Sequence, residues 1–501
     1  MKPRIATAIV LGIVGVLFAL TIAWPTVALI GRCLTDGRPP QDGFSFSNRQ
    51  LALLWRSTYL AVAATAVCIL LSLPAAFVMG RLRRLSDRPM IPALLLSLIL
   101  CPSTVLAFGW DRILPSAFHG QPRCVAVWAL WAWPIPSMLI GVGWSRLGQR
   151  AFEEALLVAS PVTAFLRIAL PTVRNHVVLA GLILFVLFFG DYGVPHACLL
   201  QVYATELLGW ARSSPHPIDS VWPALPSVGV VMVVLATAWG TARTCTAQDD
   251  VAAPEPAPTT TSSNITTLAV LCFSVSWLLP LAALTVKLSS LRALEDAFRV
   301  YGPDLLWSLA LACVAGVVAI GLGVGLVPGR RFRAPGLLWA LLLGALPGAL
   351  VGEALVAAYN HDATWWIYDR WPIMPLCYVT RFAWVGIVTA LIAIDRRAPL
   401  LVDQARTDGA TPLSILARLH LPLTFPALLC GAAVAAALSV ADVAASALVR
   451  VPTFTPVAHV LFEKFHRFED DMLISLSLWL VAATLPAAIL LAAALRTRRR
   501  D

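Results

Sequence analysis

Twelve stretches of this chain run for about 20 or more mostly apolar residues, the length a helix needs to cross a hydrocarbon core. They cover roughly residues 5–30, 51–80, 90–110, 125–145, 177–198, 223–243, 266–286, 305–328, 336–358, 376–395, 424–449 and 472–495. Composition agrees: 59% of the 501 residues are hydrophobic and 13% charged, whereas globular chains carry about 25% charged residues. The expected fold class is an all-α polytopic membrane protein with about 12 transmembrane helices. The apolar run from Ile5 to Ile30 exceeds the ~7–15 residues of a signal-peptide core and reads as the first span.

An even number of spans puts both termini on one side. Of the 37 Lys and Arg residues, 22 fall on that side and 15 elsewhere, while the 27 acidic residues divide about 10 to 17. The positive-inside rule therefore predicts that both termini are cytoplasmic. The net charge of +10 is topological, and no clustering of cations with aromatics suggests nucleic acid. Membrane lipid is the expected surroundings.

Two polar interruptions repeat. FEEALLVASPVTAFLRIALP (Phe152 to Pro171) and DQARTDGATPLSILARLHLP (Asp403 to Pro422) share Ala159/Ala410, Pro161/Pro412, Arg167/Arg418, Leu170/Leu421 and Pro171/Pro422, with Ser160 opposite Thr411, all at an offset of 251. Asp191 and Asp442 keep the same offset, and LLWRS at Leu53 to Ser57 is echoed by LLWS at Leu305 to Ser308. The chain thus reads as a tandem duplication: a first half over residues 1–246 with a loop at 147–176, a cytoplasmic linker over 247–264 rich in Pro, Ala, Thr and Ser, and a second half over 265–501 with a loop at 396–423. Six spans per half give both copies one orientation, related by an axis along the membrane normal.

Each loop has a local logic. Asp403 to Thr407 starts a short helix with acid near its positive end, Gly409 permits a left-handed residue, and Thr411 caps a second helix with Pro412 at its first position. Leu421-Pro422 is expected to close the element before the next span. The result is a helix–turn–helix knob lying across the cytoplasmic ends of the spans.

Charges inside spans cost about 3 kcal/mol each on insertion scales and are functional candidates by default. Four stand out as candidate pathway residues: Asp191, Glu353, Arg381 and Asp442. Glu353 and Arg381, on consecutive predicted helices, are placed either to pair or to reach interfacial water. Asp191 and Asp442, equivalent in the two halves, are placed to line an outer vestibule for a cationic cargo, with capping of a helix end the equal alternative for Asp191. Six of the eight histidines fall towards the outside, but none pair at i, i+3 or i, i+4, so no metal site is expected. The ten cysteines lack any C-x-x-C pair; Cys33, Cys124 and Cys198 fall near predicted outer loops where a disulfide is open. Pro74, Pro102, Pro134, Pro136 and Pro347 fall within predicted spans, where kinks are expected.

The twin loops resemble the signature of permease subunits of binding-protein-dependent ABC importers (type I): Glu-Ala-Ala, three residues, Gly, then some nine residues to Ile-x-Leu-Pro. Asp403 stands for the Glu, Gln404-Ala405 for the Ala pair, Gly409 for the Gly and Leu421-Pro422 for the ending; Glu153-Glu154-Ala155 and Ile168-Ala169-Leu170-Pro171 match in the first copy. That copy departs at the Gly, where spacing from the end points to Val158 and spacing from the Glu to Ala159, so it is expected to turn differently or couple more weakly. The fused halves, FVLFFGDYGVP (Phe185 to Pro195), LSVADVAASALV (Leu438 to Val449) and FEKFHRFEDDMLISLSL (Phe462 to Leu478) are similar to the iron(III) and thiamine branch.

The resemblance implies alternating access driven by two copies of a cytoplasmic ATP-binding subunit, with an extracytoplasmic substrate-binding protein delivering cargo. ATP-coupling residues would be Glu153, Glu154, Ala155, Ala159, Pro171, Asp403, Ala405, Gly409, Ala410 and Pro422. The chain carries no G-x-x-x-x-G-K-[ST] loop, so ATP would bind the partner, with no cofactor and no catalytic residue on this chain. Iron(III) or another small solute such as thiamine, a phosphonate or a polyamine is the implied cargo. A secondary transporter is the competing reading, although it gives no reason for twin amphipathic loops; a membrane enzyme would need clustered His, Asp or Cys on one face.

Overall fold

The computed structural model describes residues 3–36, 45–80, 90–147, 149–213, 216–251, 263–327, 330–395, 399–449 and 451–497. Arg81, Arg83, Arg84, Arg88, Arg396, Arg397, Arg498, Arg499 and Arg500, all used in the charge count, lie outside the described residues. So does most of the expected linker; its first part is helical, because the Ile218–Val251 helix runs past Thr244.

Every regular element among the described residues is helical. Among the described residues nine helices are long and apolar enough to cross a membrane, and three bent pairs raise the count to twelve if each pair is one span. The chain is a multi-pass α-helical membrane protein. The expected spans at 90–110, 125–145 and 336–358 are the bent ones: Met90–Leu100 meets Ser103–Asp111 at 78°, Gln121–Ala132 meets Pro134–Ser145 at 46°, and Arg331–Ala345 meets Gly348–Tyr359 at 112°. Proline explains each break. Pro102 and Pro347 adopt extended backbone immediately before the second helix of their pairs, φ −56° with ψ 130° and φ −53° with ψ 135°, and neither has an N–H to continue the first helix. Pro74 stays within the continuous Asn48–Gly80 helix.

A second proline device recurs four times. Short π-helical turns occupy Ala19–Ala23, Phe165–Ala169, Ser274–Leu278 and Leu416–His420. Each ends two residues before a proline (Pro25, Pro171, Pro280, Pro422). The residue between reaches back five positions, as when the Leu170 N–H bonds the Phe165 carbonyl. A wider turn absorbs the missing N–H without breaking the helix.

The residues gather into two compact units that cut across the linear halves. The first-half unit comprises Ser47–Tyr203 with Pro226–Leu291 and Ser477–Asp501; the second-half unit comprises Arg292–Leu476 with Met1–Phe46 and Ala204–Leu225. The helix opening each half therefore packs within the unit built mainly from the other half. In the second-half unit the N-terminal helix is held by polar contacts: Tyr359 Oη donates to the Leu20 carbonyl at 2.7 Å, Trp24 Nε1 to the Ala358 carbonyl at 3.1 Å and Trp339 Nε1 to Thr26 Oγ1 at 3.2 Å. Thr380 Oγ1 donates at 2.6 Å to the carbonyl of Thr21, four residues before Pro25, whose ring leaves that carbonyl without its helical donor. The opening helix of the second half mirrors this in the first-half unit, where Trp133 Nε1 donates to Ser276 Oγ at 2.9 Å. Small residues permit close helix approach: a Cβ on Gly386 would lie 2.2 Å from the Ala319 backbone, and one on Gly141 2.7 Å from the Met79 Cβ.

Candidate functional site

The twin polar elements keep one plan. In the first, the Gln149–Leu156 helix leads through a turn to a helix running from Pro161 to Phe189; in the second, Pro399–Thr407 leads to Pro412–Ala441. Ser160 and Thr411 cap these second helices, accepting from the N–H of Thr163 at 3.3 Å and of Ser414 at 3.2 Å, with Pro161 and Pro412 at the first helical position. The expectation that Leu-Pro closes each element is corrected. Pro171 and Pro422 lie inside continuous helices, accommodated by the π turns, so the second helix of each loop is the beginning of a span.

The two turns differ by one residue. In the second loop the Ala410 N–H bonds the Ala405 carbonyl at 2.9 Å and the Gly409 N–H the Arg406 carbonyl at 3.0 Å. This is a Schellman motif, and Gly409 supplies its left-handed residue at φ +79°. In the first loop the Ala159 N–H also bonds an Ala carbonyl, that of Ala155 at 2.9 Å, but only four residues back, and the Val158 N–H shares it at 3.1 Å. Val158 has no positive φ. The inward face before the turn repeats at 250 (Phe152 with Val402, both 9% exposed) and the caps after it at 251. The first loop has thus lost the left-handed residue itself, which is why its two ends gave conflicting positions for the glycine. The first loop turns differently, as expected.

Exposure separates packing from presentation. Ala155 is buried with Phe152 against Ala76, Ile140 and Trp144, so its place is structural. Glu153, Glu154, Pro171, Asp403, Gly409 and Pro422 are exposed, and Ala159, Ala405 and Ala410 half-buried. The tips have different chemistry: Leu157 and Val158 are 86% and 89% exposed, where the second loop offers Thr407 and Asp408. Sequence matching alone did not mark Leu157 and Val158.

The intramembrane charges resolve into two separate arrangements. Within the second-half unit, Arg381 Nε lies 2.9 Å from Asp442 Oδ1, with side chains 11% and 3% exposed. The guanidinium also donates to the Leu346 carbonyl at 3.4 Å and lies over the Phe382 ring. Asp442 accepts from the Ser446 N–H at 3.0 Å, and Ser446 Oγ meets His459 Nε2 at 2.8 Å. Neither role left open for Arg381 and Glu353, pairing with each other or reaching interfacial water, is the one found: both are buried, and Glu353 accepts instead from Ser220 Oγ. Removing two charges from water is tolerated only where each finds close partners, and Arg381 finds them at Asp442.

Within the first-half unit, Asp191 accepts from Trp128 Nε1 at 2.8 Å and from the N–H groups of Gly193 and Val194, each at 3.1 Å. It caps the turn into Gly193–Ala197. Of the two roles open to it, capping is the one its donors describe, and Asp442 is committed to Arg381. Among the described residues, no three His, Cys, Asp or Glu side chains converge as metal ligands would.

The fold and these sites define a multi-pass α-helical membrane protein with two matching helix–turn–helix elements. No family model, curated protein or solved structure matches the chain.

Proposed function

We propose that the chain is the membrane-spanning permease of a binding-protein-dependent ABC importer, coupled through the two helix–turn–helix elements to two copies of a cytoplasmic ATP-binding subunit. The single observation carrying this reading is the repetition, at one offset, of cap, first-position proline and π turn in both elements. A mere connector needs no such duplicate. In each element the second helix continues into a span, so a displacement imposed on the tip is transmitted along a continuous rod. ATP biases transport only if the partner binds one conformation better than the other, by about 5.5 kcal/mol for a near-complete switch, and these elements are the exposed handles through which such a difference acts.

On this reading both termini and both elements are cytoplasmic, in a bacterial inner membrane, and an extracytoplasmic substrate-binding protein selects the cargo, a small solute with iron(III) the first choice. ATP belongs to the partner subunit. Co-expression with an ATPase and a receptor found encoded beside this chain tests the proposal. The ATPase should co-purify, and Gly409→Asp should leave membrane insertion intact while abolishing uptake. Normal uptake by that variant, or solute movement by the purified chain alone down an ion gradient, refutes it.

A further inference from the structure

Cys124 and Cys198 are separated by 74 residues in sequence, yet they are buried free thiols that interact with each other in the first-half unit. Cys124 is in the first turn of Gln121–Ala132 and Cys198 ends the Gly193–Ala197 turn; both are buried, 0% and 2% exposed. The neighbouring residues lock the same two segments together. Arg123 donates to the Ala197 carbonyl at 3.0 Å and pairs with Asp111, and Asp191, which caps the turn leading to Cys198, is held by Trp128 one turn beyond Cys124. The two thiols therefore meet on backbone that polar contacts fix from both sides.

We propose that Cys124 and Cys198 form a structural disulfide. Two spans, Gln121–Ser145 as a bent pair and Pro161–Phe189, separate the segment before Cys124 from the one holding Cys198, so both cysteines are at one face of the membrane. The orientation put forward under Proposed function, on which this inference rests, makes that face the outer, oxidising one, where disulfides persist. Formation removes one proton and one electron from each thiol and joins the sulfurs; the two electrons and two protons convert the disulfide of a thiol–disulfide oxidoreductase to its dithiol. Exchange proceeds through a thiolate. Burial of both sulfurs places the reaction during folding, before the segments close.

Counting thiols tests this on the full-length chain in native membranes. Cells are quenched with acid, the membranes dissolved in denaturant and the chain reacted with a maleimide polymer that adds a countable mass per thiol. Of ten cysteines, eight should react without reductant and ten after it, and a peptide joined through Cys124 and Cys198 should appear by mass spectrometry. Cys124→Ser and Cys198→Ser should each give nine with or without reductant. Ten reactive thiols in the unreduced parent overturn the proposal. A C-terminal fluorescent-protein fusion, which matures only in the cytoplasm, separates the causes: ten thiols with a bright fusion mean the pairing is wrong, and ten with a dark fusion mean the orientation fails and the bridge with it.

Discussion

Gly409 offers the sharpest test of the loop geometry. Its backbone lies at φ +79°, and no atom comes within 4 Å of where a Cβ would point. A new side chain therefore meets nothing, and the cost of substitution is the backbone's alone: about 1–2 kcal/mol for an ordinary L-residue held left-handed, and less for Asn, whose side chain hydrogen-bonds locally. Opening this turn releases the amides of Gly409 and Ala410 from the carbonyls of Arg406 and Ala405, so their hydrogen exchange reports the cost directly. At 1.4 kcal/mol per factor of ten, Gly409→Ala and Gly409→Val should accelerate exchange at 409 and 410 by about 5- to 30-fold, with Val at the upper end and Gly409→Asn close to the parent. Exchange-resolved mass spectrometry of the chain in detergent is the assay. The first loop is an internal control: Val158 is not left-handed, so Val158→Gly should not slow exchange there. Parental rates in all three Gly409 variants, or an Asn variant as fast as Val, would refute the left-handed turn.

Asp442→Asn should lower the detergent unfolding midpoint by the equivalent of about 3–5 kcal/mol, because Arg381 is left buried without its counter-charge; the double change Arg381→Met with Asp442→Leu should lose much less, and equal losses would argue against the pair. Thr411→Ala and Ser160→Ala should each cost about 1 kcal/mol of local stability, seen as faster exchange in the first turn of the helix each caps. Phe468 is left-handed at φ +56° and 89% exposed, so Phe468→Gly should stabilise the chain by about 1 kcal/mol, with a higher thermal midpoint, since strain is relieved and no packing is lost.

Much of the candidate site was legible because its signals are local. A cap residue followed by proline, a glycine where a turn needs positive φ, and repetition at one offset each act within a few residues, and they located both loops with their caps. What failed was equally local in appearance: Leu421-Pro422 reads as a terminator, yet a wider helical turn keeps the helix whole. The missing residue of the first loop was also hidden, since a one-residue deletion looks like a substitution until the hydrogen bonds of Ala159 and Ala410 are compared.

Hydrophobic segment length, set by the bilayer, predicted from sequence alone a multi-pass helical protein of about twelve spans, and the described residues hold nine such helices, or twelve if each bent pair is one span. Tertiary structure alone decided that the helix opening each half packs in the unit of the other half, that Arg381 chooses Asp442 over Glu353, and which thiols meet. Those outcomes depend on partners up to 359 positions apart, as from Thr380 to Thr21. In lipid a backbone carbonyl freed by proline must find a partner inside the protein, but nothing in the local pattern of residues records which one.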